Sequence, residues 1–282
     1  MDSGATCEAA SGRGPGERPV SVESGKRVAD GVEIGYDLYV PLNGEVQGGA
    51  LFLHGFALGR SSLGHHARAA ASRGVAALAV DLSSFTKGGT FREVWVERSV
   101  RSAQLRNVRQ AVDHALWLDR WPCVLVGHSA GGAVALEAAV ALQEAKKAPA
   151  AVILLDAVPF EATHEVAGRF DLGASALVSI RADPSAWNKS GEIAEAIKCI
   201  PPGPPGRLVE LRLPGARHGD PMGSNWAIKL VGLQSTGIEP FARLLAAHLA
   251  RALALPGFET PEEAVERLPV EVQARQGDLQ GT

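Results

Sequence analysis

Apolar and polar positions along the chain fall into two alternating kinds of segment. Val32–Val40, Gly49–Leu53, Val75–Val80, Cys123–Val126, Ala151–Leu155, Ala176–Ile180 and Leu208–Leu213 are short and mostly apolar throughout, with Val, Ile and Leu dominating the later ones. Runs of that length predict strands, and continuous apolarity predicts strands buried on both faces. Between them lie segments with helical spacing. Leu63–Arg73 is alanine-rich and is followed by Gly74, which suits a left-handed cap. Phe91–Asp119 repeats apolar residues at Val108, Val112, Ala115 and Leu116. Gly131–Ala145, Glu192–Lys198 and Pro240–Leu255 complete the helical set, the last stopped by Pro256. Buried strands alternating with helices predict βαβ units with right-handed crossovers. The expected fold class is therefore α/β, with a mostly parallel central sheet flanked by helices on both faces. Only about 20 residues separate Ala151–Leu155 from Ala176–Ile180, which leaves little or no room for a lid domain.

The two ends break this pattern. Residues 1–27 contain no Leu, Ile, Phe, Tyr or Trp, and such a segment buries too little surface to offset its ordering entropy. A flexible tail over 1–27 is expected. Residues 256–282 are acidic and proline-containing, and are expected to form a loosely packed tail with one short helix near Glu262–Leu268. The folded domain is placed at 28–255.

Composition narrows the partners. The 282 residues carry a net charge of −3, so no cationic excess exists to neutralise nucleic acid. Three cysteines, Cys7, Cys123 and Cys199, make no disulfide framework and no C-x-x-C pair. No apolar run is long enough for a transmembrane helix, and the first residues lack the apolar core of a secretory signal, so a cytoplasmic location is expected. Neither G-x-G-x-x-G after the first strand nor G-x-x-x-x-G-K-[ST] occurs, and no metal-ligand spacing occurs; no cofactor and no metal are expected.

The chemistry is concentrated in Gly127-His128-Ser129-Ala130-Gly131, followed by Gly132. An apolar strand enters this G-x-S-x-G and an alanine-rich helix leaves it, the strand–turn–helix context of a nucleophile elbow. Glycines flank the serine because side chains there would collide with strand and helix, and the helix N-terminus brings backbone N–H groups beneath the hydroxyl. The strand Leu51–Leu53 ends in His54-Gly55-Phe56, the place from which a loop donates one oxyanion N–H. Phe56 and Ala130 are the expected backbone donors.

A serine hydroxyl is a poor nucleophile without a base. Of eight histidines, His218 follows the last parallel strand through the short loop Pro214–Arg217, the position that completes a Ser…Asp…His order. His54 and His128 fall inside the motif loops and read as structural, whereas His65 and His66 read as surface residues at a helix start. Two aspartates compete to orient His218. Asp156 closes an apolar strand with no polar neighbour to explain it, and Asp183 follows the next strand. Asp81 reads as a loop anchor. Trp187 and Asn188 either line a cleft or pack the loop.

These pieces resemble the α/β-hydrolase superfamily over roughly residues 28–255. The HGF loop, the SRG-VAALAVD segment and GHSAGG are similar to cutinase-like and chlorophyllase-like serine esterases. Leu154–Pro159, Lys198–Pro202 and His218-Gly219-Asp220-Pro221-Met222 look closer to the chlorophyllase-like branch, although Ala130 stands where that branch usually carries Arg, and Ala216-Arg217 where it carries Tyr-Gly. The resemblance implies a Ser129–His218–aspartate triad and favours Asp156 as its acid, while the commoner superfamily position favours Asp183. It implies hydrolysis of a small-molecule carboxylic ester, bulky or amphipathic. An acyltransferase, thioesterase or lyase on the same fold, and a ligand-binding protein without catalysis, remain as alternatives.

Overall fold

The computed structural model describes residues 18–84, 97–222 and 238–272. Strands β1 (Val20–Ala29), β2 (Val32–Pro41), β3 (Gly48–Leu53), β4 (Val75–Val80), β5 (Cys123–His128), β6 (Ala151–Leu155), β7 (Ala176–Arg181), β8 (Leu208–Arg212) and β9 (Glu271–Val272) form one sheet in the order β1-β2-β4-β3-β5-β6-β7-β8-β9. From β4 through β8 every neighbouring pair is parallel. The edges are antiparallel: β1 on β2, β2 on β4, and β9 on β8.

Seven α-helices are described: α1 (Gly64–Ser72), α2 (Glu97–Trp117), α3 (Ala130–Glu144), α4 (Thr163–Ala167), α5 (Ile193–Lys198), α6 (Glu239–Ala252) and α7 (Pro261–Glu266). They divide between the two faces. Ala50 and Phe52 of β3 point with Ile153 and Leu155 of β6 toward α1, α6 and α7. Leu51 and Leu53 point with Val152 and Leu154 toward α2, α3, α4 and α5. This is the sandwich that double-sided apolar strands require, each buried Leu, Ile or Phe contributing about 2 kcal/mol. The expected fold class holds. Between β6 and β7 the chain forms only α4 and its turns, with no lid domain in that connection.

The sequence reading differs from the structure at the ends. Residues 20–27, placed in a flexible tail, belong to β1, which pairs along its whole length with β2. Residues 1–17, 273–282 and the first part of the helical stretch expected from Phe91 lie outside the described residues. Beyond residue 255, where loose packing was expected, Phe258, Val265, Leu268 and Val270 pack against the core and Ala264 is buried. No helix among the described residues is long and apolar enough to cross a membrane.

The strand order places a crevice. After β3 the chain moves outward to β4, then returns to set β5 on the opposite side of β3. Loops leaving the carboxyl ends of β3 and β5 therefore diverge, and open α/β sheets bind ligands at such a switch point. The first loop holds His54-Gly55-Phe56 and the second holds Ser129.

Candidate active site

Ser129 sits between the end of β5 and the first residue of α3 in a left-handed conformation, φ 55° and ψ −127°. Its N–H donates to the Leu155 carbonyl, and its own carbonyl accepts from Gly132 and Val158. The neighbouring glycine is a packing requirement: a Cβ on Gly131 would lie 2.3 Å from the Leu53 carbonyl oxygen and 2.4 Å from that of His54. A Cβ on Gly55 would lie 2.8 Å from the Ser129 Cβ, so the loop after β3 passes directly beside the serine.

Left-handed backbone gathers here. Of eight such non-glycine residues among the described ones, Ala57, Ser129, Asp156, Lys189 and Ser190 lie in the loops around this crevice. Each costs about 1–3 kcal/mol and persists only where the surroundings enforce it. One well-buried leucine in the adjoining strands offsets about one of them.

Three side chains meet in a line. The Ser129 hydroxyl donates to His218 Nε2 at 2.9 Å, and His218 Nδ1–H donates to Asp156 Oδ2 at 2.6 Å. The ring orientation that serves both bonds fixes the tautomer in the resting state. Ser129 is half-buried, while His218 and Asp156 are buried. Asp156 follows β6 directly and is itself left-handed, φ 43°. Its carboxylate also accepts from the Ala182 N–H at 2.9 Å and from the Asn188 amide, 3.1 Å to each oxygen.

The two competing aspartates are thus separated by their partners. Asp183 is engaged elsewhere: Arg212 donates to it from Nε at 3.1 Å and Nη2 at 3.0 Å, and the Gly215 N–H donates at 2.7 Å. It anchors the loop that carries His218. Asp220 tightens the same loop by accepting from the Arg217 N–H at 2.8 Å. Asp81 holds Arg60, as a loop anchor should.

Two more histidines clamp this loop from beneath. His128 Nε2–H donates to the His218 carbonyl at 2.9 Å, and His66 Nε2–H donates to the Pro221 carbonyl at 2.8 Å. Burial, reinforced by the His218 charge, pulls His128 down to about 3, and burial also holds His66 well below the ordinary range. Both are neutral donors across the physiological range. His66 is therefore not the surface residue expected from its place at a helix start; it packs under the loop. His54 bridges the first loop, donating from Nδ1 to the Gly55 carbonyl at 2.7 Å and accepting the Leu82 N–H at Nε2, 2.9 Å.

Ala130 opens α3 and is buried; Phe56 lies in the turn after β3, half-buried and beside the strained Ala57. Ala130 follows the serine directly, and Phe56 follows Gly55, whose backbone passes beside it. A cleft of 430 Å³ opens on the His218 side, walled by Pro184, Ser185, Trp187, Ala216 and Arg217. Trp187 is 56% exposed there, whereas Asn188, its neighbour, is fully buried. Of the pair expected either to line a cleft or to pack the loop, Trp187 does the first and Asn188 the second; the bonds that Asn188 and His66 make across the fold belong to no motif and leave no mark in the sequence.

A family model described as "Alpha/beta hydrolase family" matches residues 50–272. No curated protein sequence matches the chain. Among solved structures, a dienelactone hydrolase-like promiscuous phosphotriesterase from metagenomic libraries is 16% identical, with TM-score 0.61, 84% of this chain and 99% of that chain covered. An esterase from Pyrobaculum calidifontis is 16% identical, with TM-score 0.58 and 83% and 85% covered. A ferulic acid esterase from Streptomyces cinnamoneus is 16% identical, with TM-score 0.57 and 86% and 89% covered. At such identities the likeness is one of fold.

Proposed function

The chain belongs to the alpha/beta hydrolase family, and from that premise we propose that it is a serine hydrolase of carboxylic esters working through an acyl-enzyme. The observation that carries this reading is the continuous hydrogen-bonded line from Ser129 through His218 to Asp156. His218 takes the Ser129 proton as Oγ attacks the ester carbonyl, and Asp156 stabilises the imidazolium that forms. The N–H groups of Phe56 and Ala130 receive the oxyanion, each such donor contributing about 3 kcal/mol to the transition state. Collapse breaks the bond to the alkoxide, which takes the proton from His218. A water, deprotonated by the same imidazole, then releases the acid and restores Ser129. The adjoining cleft and the half-buried serine support a bulky or amphipathic ester as substrate.

A fluorophosphonate probe tests the reading. Wild type should label and turn over p-nitrophenyl esters, and Ser129→Ala should lose labelling and more than about 10³-fold of turnover. A folded wild type that neither labels nor hydrolyses would overturn the proposal and favour a binding protein.

A further inference from the structure

Asn188 stands outside the reacting line, yet its carboxamide is spent almost wholly on the group at the end of that line. Nδ2 lies 3.1 Å from both Asp156 oxygens and 2.9 Å from the Asp183 carbonyl. One N–H is thus shared between the two carboxylate oxygens while the other goes to the loop. Oδ1 accepts the Ser185 N–H at 2.8 Å. Every hydrogen-bonding position that fixes the amide's orientation is therefore occupied, and the side chain is fully buried. The backbone is bent to put it there: Lys189 and Ser190 directly after it are left-handed, and the Ser190 N–H closes the turn on the Ser185 carbonyl at 2.7 Å. A turn needed only to connect β7 to α5 has no use for two strained residues and a buried amide aimed at a carboxylate.

We propose that Asn188 is a positioning residue that holds the Asp156 carboxylate in the plane His218 requires. The inference rests on Asp156 acting as the acid of the proposed hydrolase. By donating to both oxygens, Asn188 keeps the carboxylate from rotating away from Nδ1 and disperses its charge between reaction cycles. Trp187 precedes Asn188 in the same turn, so the anchor of the acid is also the anchor of the cleft wall. The other titratable groups nearby are committed: His128 stacks 5.1 Å from His218, Asp183 pairs with Arg212, and Lys189 Nζ donates to the Pro159 carbonyl.

The test is the rate of fluorophosphonate labelling as a function of pH, read on the full chain. Wild type is measured first, since failure of wild type to label sinks the hydrolase reading itself rather than this inference. With wild type active, Asn188→Ala should slow labelling by about tenfold, the loss of one charge-assisted hydrogen bond. In an Asp156→Asn background the same change should cost less than about twofold, because Asn188 acts through Asp156. Asn188→Asp keeps an oxygen for the Ser185 N–H and so retains the turn if the alanine variant does not fold. Its carboxyl, about 3 Å from both Asp156 oxygens, shares one proton with that carboxylate, and the proton donates to Asp156 in place of the amide, so labelling should stay within about threefold of wild type. An equal loss in both backgrounds, or a tenfold loss in Asn188→Asp, would overturn the proposal and leave Asn188 as a loop fastener.

Discussion

Asp156 and Asp183 end neighbouring strands and differ in one respect that matters, namely which cation or donor reaches them. Arg212 and Gly215 occupy Asp183, while His218 Nδ1 occupies Asp156. Asp156→Asn should therefore lower kcat/KM by roughly 10³-fold or more, because the amide favours the wrong imidazole tautomer. Asp183→Asn should lower it less than about tenfold and act mainly on the stability of the His218 loop. Steady-state kinetics paired with urea denaturation separates the two outcomes, and the reverse ranking would transfer the acid role to Asp183. At this scale Ser129 and His218 were legible because a motif and a chain order mark them. The choice of acid was not, since it depends on an arginine 29 residues away from Asp183. His66 was misread for a similar reason: a helix start exposes half its residues, and only the loop from β8 decides which half.

The nucleophile turn illustrates what elements contribute. β5 and α3 are tied to β3 so closely that the turn between them tolerates no added atom at Gly131. The obstruction is backbone carbonyl oxygen, which has no rotamer with which to yield. Gly131→Ala should cost at least about 3 kcal/mol and abolish labelling, measured as a fall in the urea midpoint. A stable, active Gly131→Ala protein would contradict the close approach of β3. The interior strands could be read from the sequence because burial on both faces makes them continuously apolar. β1 could not. It is an edge strand whose middle, Glu23 to Arg27, faces solvent for much of its length, so it carries the composition of a tail while making a full antiparallel ladder with β2. β9 escaped for want of length, two residues resting on β8.

For the molecule as a whole, neutral histidines withdrawn from water set the response to acid; His65, expected at the surface, is half-buried, and His114, His128 and His248 are buried. His65, His114 and His248 are pushed down to about 4, and His128 to about 3, chiefly by burial. The unfolded chain protonates such groups below about 6.5 while the folded chain resists until its own lower value. Stability is therefore complete above pH 6.5 and drains away as the pH falls through that window. His114 reports this cleanly, since it lies on α2, buried, with neither ring nitrogen hydrogen-bonded among the described residues. His114→Leu should match or exceed wild type at pH 7 and gain on it by about 1.4 kcal/mol per pH unit between 6.5 and 4. Urea midpoints across that range check the slope, and parallel curves for the two proteins would refute it. The sheet carries a second global property. His128, Leu155 and Ile180 occupy one row across β5, β6 and β7, and Ser129 and Asp156 each stand one residue beyond it. The ladder thus sets the nucleophile and the acid at a common height. A graft that replaces Trp187 and the cleft wall around it but keeps Asn188 should retune selectivity while the reacting atoms stay in place. A single-residue deletion inside β6 would do the opposite, turning Asp156 to the other face and silencing every graft at once.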